Sequence, residues 1–353
     1  MNPLWSQLAR ELSPYVPGEQ PRIADLVKLN TNESPFGPSP LALEAIRAAA
    51  ADSLRLYPDP EATELREALA AHHGVKPEQV FVGNGSDEVL AHAFAALLKQ
   101  PKPLVIPDVT YSFYPVWARL FGLDYETVPL DRGMRVRVED YRRTVGSIVI
   151  ANPNAPTGIA LPRAEITQLL EDHPDIPVLI DEAYIDFGGE SAVPLIASYP
   201  NLLVVQTMSK SRALAGLRVG YALGDVGLIE ALRRVKDSFN SYPLGRLAQA
   251  GATASVRDRT YFRESCARVV AGREAMTREL IGLGFVVLPS SANFVLARHP
   301  ARPGPEFAAA LRKRAVLVRH FDKPRIAPYL RITVGTEDDT RRLIAAAADI
   351  LRA

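Results

Sequence analysis

Only one of the 353 residues is a cysteine, Cys266, so the chain can form no disulfide within itself and no thiolate metal cluster. Histidine is scarce as well. Six are scattered along the chain and only His72 and His73 adjoin, next to Gly74, where a solvated helix end is the expectation and not a metal site. No metal is expected. No apolar run reaches membrane-spanning length, and Met1 to Arg10 lacks the basic-then-apolar layout of a secretory signal. Neither sign of charge dominates. The 41 basic and 40 acidic residues leave a formal charge of +1, which gives no reason to expect nucleic acid or an anionic membrane as partner. A cytoplasmic location is the plain expectation. What is present is the composition of a soluble globular enzyme: 47% hydrophobic residues for a core and 23% charged residues to cover it. The length suits two domains better than one.

The first forty residues carry little periodicity. Asn30 to Pro40 reads as an ordered arm, with a helix starting at Pro40 or Leu41. Strand and helix signals then alternate. Helices are expected over Ala62 to His73, Asp87 to Leu98 and Ser112 to Phe121. Strands are expected over Gln79 to Val82, Leu104 to Ile106, Ser147 to Ala151, Val178 to Asp181, Leu202 to Gln206 and Arg218 to Ala222. Short apolar strands alternating with helices argue for a largely parallel sheet covered on both faces. After about Gly245 the character changes. One long helical stretch, Arg246 to Leu283, precedes short strands at Gly284 to Leu288, Asn293 to Ala297, Val316 to Val318 and Leu330 to Val334, with helices at Glu306 to Arg314 and Glu337 to Leu351. The division is an arm over 1–39 that packs with the small domain, a large domain over 40–245 and a small α/β domain over 246–353.

Several polar motifs fall just past apolar strands, where open α/β sheets place their ligands. Gly83-Asn84-Gly85-Ser86-Asp87-Glu88 follows a strand and opens a helix, a setting in which backbone amides can hold an anion. It has neither P-loop nor dinucleotide-fingerprint spacing, and such a turn is often purely structural. Tyr111 follows the next strand and can stack on a flat ring or simply pack. Asn152-Pro153-Asn154-Ala155-Pro156-Thr157-Gly158 offers amide donors in a proline-fixed turn. Asp181, at a strand end, begins Asp181-Glu182-Ala183-Tyr184. The most specific stretch runs from Thr207 through Ser209-Lys210 to Gly216-Leu217-Arg218. Thr207 and Ser209 bring hydroxyls, Arg218 a two-pronged cation and Lys210 a nucleophilic amine once desolvation and neighbouring cations depress its pKa.

Lysine, aspartate and arginine in these places supply the charges that pyridoxal 5′-phosphate (PLP) needs. An amine bonds its aldehyde, a carboxylate keeps its pyridine nitrogen protonated, and a guanidinium grips its phosphate. Taken in order, Gly85-Ser86-Asp87, Tyr111, Asn154 to Gly158, Asp181 to Tyr184 and Ser209-Lys210 through Arg218 resemble the PLP site of fold-type I aminotransferases. The arm Lys28 to Pro40, the turn Tyr57-Pro58-Asp59-Pro60 and Leu330 to Thr336 narrow the resemblance. They are similar to histidinol-phosphate aminotransferases, in the class-II aminotransferase group. The resemblance implies an α/β fold whose large domain holds a mostly parallel seven-stranded sheet. It implies cofactor contacts from Gly85, Ser86, Asp87, Tyr111, Asn154, Asp181, Tyr184, Thr207, Ser209, Lys210 and Arg218, with Lys210, Asp181 and Tyr184 catalytic. It also implies a homodimer in which Tyr57 reaches the neighbouring site, and a substrate pocket with Arg331, Arg319, Tyr15 and Asn32.

One departure stands out. The family carries asparagine immediately before Pro-Thr-Gly, against the phenolic oxygen of the cofactor, and this chain has Ala155 there. Asn154 or Asn152 reaches the same oxygen, or Tyr184 holds it alone. The implied reaction is transamination of L-histidinol phosphate with 2-oxoglutarate. The alternatives are an aromatic or broad-range aminotransferase and a PLP-dependent decarboxylase of a phosphorylated amino acid. A ligand-sensing regulatory domain would need an appended DNA-binding module, for which 353 residues leave no room.

Overall fold

The computed structural model describes residues 3–352. Seven strands form one sheet, in the order Val80–Asn84, Val219–Gly224, Leu202–Thr207, Val178–Asp181, Ser147–Ala151, Leu104–Pro107 and Tyr125–Val128. Every pair is parallel except those made by Val219–Gly224, which runs antiparallel to both neighbours. Successive side chains of a strand point to opposite faces, and the burial follows that period. Ile148, Ile150, Val178, Ile180, Leu202 and Val204 enter the core on one face. Val149, Leu179, Leu203 and Val205 enter the core on the other. Both faces are covered, so these strands read as unbroken apolar runs. Each fully buried aliphatic side chain contributes about 1.5–3 kcal/mol.

A second, five-stranded sheet has the order Val27–Leu29, Val316–His320, Leu330–Thr333, Phe294–Arg298 and Val286–Val287. Met276, Leu280, Phe285, Phe307 and Leu343 pack around it. Val27–Leu29 pairs in parallel with Val316–Val318, so three residues of the amino-terminal arm complete a sheet built otherwise from the end of the chain. Nothing in the arm's weak periodicity marks that strand. Its side chains are fixed by a partner nearly three hundred residues away.

The long helical stretch after Gly245 is two helices, Arg246–Arg257 and Arg259–Gly282. Asp258 separates them: its carboxylate accepts from the amide of Tyr261, starting the second helix, and from Ser39 Oγ at 2.6 Å. The helix expected from Asp87 starts earlier, at Gly85, and its last turn, Phe94–Leu98, is π-helical. His72 and His73 are half-buried, not solvated. His73 Nε2 lies 3.1 Å from the Tyr221 hydroxyl, and burial pushes its pKa down to about 3. Among the described residues no helix is long and apolar enough to cross a membrane.

Candidate active site

The parallel strands end at a common edge, because Ala151 pairs with Asp181 and Asp181 with Val205. The turns after them open into a cleft whose far wall comes from the five-stranded sheet and the arm. Lys210 lies three residues beyond Leu202–Thr207. Its amine donates to the Thr31 carbonyl at 3.2 Å and lies 5.8 Å from the centre of the Tyr184 ring. Burial pushes its pKa down to about 8, and Arg331 and Arg218 act in the same direction against Glu33 and Asp87.

Asp181 is buried, accepting from the Tyr114 hydroxyl at 2.7 Å and from the amide of Ala183 at 3.2 Å. Burial pushes its pKa up to about 6, and the bond from Tyr114 opposes that. Tyr111 donates to Asp87 Oδ1 at 3.1 Å and stands edge-on to Tyr114, the ring centres 5.5 Å apart. Tyr15 stacks on Phe113 at 4.7 Å, closing that side.

Beyond Lys210, Thr207 Oγ1 and Ser209 Oγ are 3.1 Å apart, and Arg218 reaches Asp87 at 3.3 Å and Ser209 at 3.5 Å. Arg218 adopts φ 55°, a left-handed conformation that aims it back over this turn. Gly85 faces it with φ 81°, and a Cβ there would fall on the Arg218 guanidinium. Gly220 plays the matching part on the adjacent strand, since a Cβ would strike the backbone of Gly85 and Ser86. The result is a small basin of hydroxyls, amides and one guanidinium at a helix amino terminus, the donor set of an anion site.

On the opposite wall, Arg331 donates to the Asn30 carbonyl at 2.9 Å and lies over Phe294 and Phe321 at 5.4 and 5.3 Å. Arg319 is its cross-strand partner. Among the described residues neither guanidinium has an ion pair, and Arg331 Nε is buried without a hydrogen-bond partner. Thr110 Oγ1 and Asn30 Oδ1, also in the cleft wall, are likewise unpartnered. Buried polar atoms are nearly always satisfied, so this group expects a guest.

Residues 24–346 match the family described as Aminotransferase class I and II. The chain belongs to that family. It is 63% identical over 351 residues to histidinol-phosphate aminotransferase 2 of Rhizobium meliloti, covering 99% of this chain and 100% of the relative. It is 62% identical to histidinol-phosphate aminotransferase 1 of Bradyrhizobium diazoefficiens, again over 351 residues with 99% and 100% coverage. Among solved structures, histidinol-phosphate aminotransferase from Sinorhizobium meliloti in complex with pyridoxal-5′-phosphate superposes with a TM-score of 0.88. Its identity is 26%, and 99% of this chain and 98% of that one are covered.

Of the residues singled out in the sequence, Ser86, Asp87, Tyr111, Asp181, Tyr184, Thr207, Ser209, Lys210, Arg218, Tyr15, Asn32, Arg319 and Arg331 all line this cleft. Gly85 lies just behind Arg218. Two lie elsewhere. Asn154 is turned away from the cleft, its amide donating to the Val109 carbonyl at 2.9 Å and to Thr157 at 3.2 Å, and the neighbouring Ala155 faces the cavity instead. Tyr57 is outside the cleft and 80% exposed, its ring stacked on Tyr242 at 4.7 Å.

The sequence reading missed Tyr114, whose signal was its place in the first turn of the helix that follows Tyr111. It also missed the segment Phe321 to Ile326, which supplies Phe321, Lys323 and Ile326 to the wall. Arg325 anchors that segment to the large sheet's loops, donating to Asp108 Oδ2 at 2.6 Å and to the carbonyls of Leu130 and Asp131 at 2.9 and 2.8 Å. No motif in the sequence marks this segment, because its role depends on which loops it meets.

Proposed function

We propose that this aminotransferase moves the amino group of L-histidinol phosphate to 2-oxoglutarate, giving imidazole-acetol phosphate and glutamate, with PLP as its cofactor. The observation that carries the substrate is the Arg319–Arg331 pair. Two cations placed opposite each other across a ladder repel, and no acid among the described residues relieves them. A phosphate dianion does so, and the same pair accepts the carboxylates of glutamate and 2-oxoglutarate in the second half of the cycle.

The residues fit the cofactor. A buried amine of depressed pKa, a buried carboxylate at a strand end and an anion basin opened by Gly85 converge on one cavity. When bound, PLP supplies an aldehyde to capture the amino group and a cationic ring to delocalise the electrons released at the donor's α-carbon. Arg218, Ser86, Ser209 and Thr207 hold its phosphate. Asp181 holds a proton at the pyridine nitrogen, and Tyr114 keeps that carboxylate in place. Tyr111, in the cleft wall, would offer its ring as a stacking face. Lys210 would be the covalent anchor and, once released, the base for the α-proton, a role that its buried, readily deprotonated amine suits. Tyr15 closes the mouth. The active unit is a homodimer in which exposed Tyr57 reaches the phosphate in the neighbouring subunit's site.

An absorbance titration tests the reading. The purified protein with PLP should carry a visible band that histidinol phosphate bleaches at far lower concentration than phenylalanine or glutamate, and that 2-oxoglutarate restores. An equal or stronger response to phenylalanine would move the enzyme to the aromatic branch. Absence of any band would remove the cofactor.

A further inference from the structure

The turn before Thr157 brings no side-chain amide into the cleft. Both ends of the Asn152 carboxamide are spent on Leu161, accepting from its amide at 2.8 Å and donating to its carbonyl at 3.1 Å. Asn154 is bonded to Val109 and Thr157, and Ala155 offers only a methyl group. Tyr184 packs against the cluster that contains Ala155, and its hydroxyl is held from the other direction by the arm.

Asn32 Nδ2 donates to the Tyr184 oxygen at 3.0 Å. The carboxamide cannot turn over freely, because Thr333 fixes it: the Thr333 hydroxyl accepts from the Asn32 amide at 3.0 Å and donates to Asn32 Oδ1 at 3.1 Å. Asn293 clamps the Asn32 carbonyl at 3.0 Å, and the residue sits in the left-handed region with φ 55°. A phenol that accepts from an amide keeps its single proton for some other acceptor. Among the described residues Tyr184 donates that proton to none.

We propose that Asn32 is a positioning residue: by occupying a lone pair of Tyr184 it turns the hydroxyl proton into the cleft, where Tyr184 serves the cofactor's phenolic oxygen in place of the asparagine that Ala155 replaces. The inference rests on the cofactor reading above. It ties the arm to the electronics of the site, since Thr333 and Asn293 belong to the carboxy-terminal part of the chain. The charged and titratable groups around Tyr184 are Arg331, Lys210, Asp181 and Asp87, with the hydroxyls of Tyr111 and Tyr114 beyond them. A donor to the phenolic oxygen favours its ionised form, so losing that donor raises the pH at which the bound cofactor's visible band changes.

The test is a pH titration of that band in the holoenzyme. Asn32→Gly removes the carboxamide while keeping a residue at ease with positive φ, and its midpoint should rise by about one pH unit, the worth of one hydrogen bond. Asn32→Asp should raise it too, because a carboxylate would draw the Tyr184 proton out of the cleft. Adding Ala155→Asn to Asn32→Gly should bring the midpoint back, a rescue that loss of packing alone would not give. Tyr184→Phe sets the scale. If it moves the midpoint and both Asn32 variants titrate with the wild type, the role of Asn32 is overturned and the cofactor reading stands. If Tyr184→Phe leaves the midpoint unmoved, the assignment of Tyr184 and this inference fall together. A wild type with no visible band after incubation with PLP would overturn the reading on which both rest.

Discussion

Tyr114 gives its hydroxyl proton to Asp181 Oδ2 across 2.7 Å, in a part of the core where Tyr114 has no exposed surface at all. That bond favours the ionised carboxylate, while burial favours the neutral acid and pushes Asp181 up to about 6. Removing it leaves only the bond from the Ala183 amide to oppose burial. Tyr114→Phe should therefore move the acidic limb of the kcat–pH profile upward by about one unit, with roughly tenfold lower kcat on that limb and recovery at alkaline pH. Profiles measured from pH 5 to 9 decide this. An unmoved limb would mean that a group other than Asp181 sets it.

Lys210 yields a second pH dependence, again from burial but with the pKa moved in the opposite direction. Its pKa is pushed down to about 8 by burial, with Arg331 the next cause, so the folded protein disfavours the ammonium. At pH 7 roughly one amine in ten is neutral, against roughly one in a few thousand at the ordinary lysine value. Uptake of PLP by cofactor-free protein should accelerate as pH rises and level off above about 8. The sign for stability agrees. The unfolded chain binds this proton more tightly between pH 8 and 10.5, so cofactor-free protein gains stability over that window as pH rises. Arg331→Gln takes away one depressing cation and should shift the uptake midpoint upward, which stopped-flow absorbance can follow.

The chemistry of the large sheet was legible because it sits on local signals. Apolar strands ending in Asp181 and before Lys210 follow from alternation and composition, and Gly85 and Arg218 follow strand ends that open on the same cleft. Asn154 was misplaced because a turn's sequence names its donors without saying which way they point. The Val109 carbonyl, forty-five residues away, takes this one. The arm's strand, the Asp258 break and the anchoring by Arg325 were illegible for a related reason. Each depends on a partner distant in sequence, Val316–Val318, Ser39 and Asp108 respectively. Their local propensities are unremarkable, and tertiary contact decides them.

Gly85 is where backbone conformation meets the proposed grip on the cofactor. Its φ of 81° costs a non-glycine residue about 1 kcal/mol, and the added methyl would displace the Arg218 guanidinium. Gly85→Ala should weaken PLP binding by at least about tenfold, through loss of charge-assisted bonds to the phosphate. The fold should suffer less. Equilibrium dialysis of PLP beside thermal unfolding of the cofactor-free protein separates the two effects, and a large fall in melting temperature with unchanged PLP affinity would contradict the placement of Arg218.

The exposed Tyr57 makes the proposed dimer testable without a structure of it. Its ring leans on Tyr242 and its carbonyl accepts from Arg246 at 3.0 Å, which holds the turn in place while leaving the side chain 80% accessible. If that hydroxyl serves the neighbouring subunit, Tyr57→Ala should lower PLP affinity about tenfold. Lys210→Ala should abolish turnover outright. Mixed subunits then give a sharper result than either variant. A heterodimer of Tyr57→Ala with Lys210→Ala contains one site with Lys210 from the first chain and Tyr57 from the second, so that site is whole. Mixing under conditions that exchange subunits should restore one site of normal PLP affinity per heterodimer, and activity that neither parent shows at limiting PLP. Were Tyr57 to act within its own subunit, every site in the mixture would carry one defect and no recovery would follow.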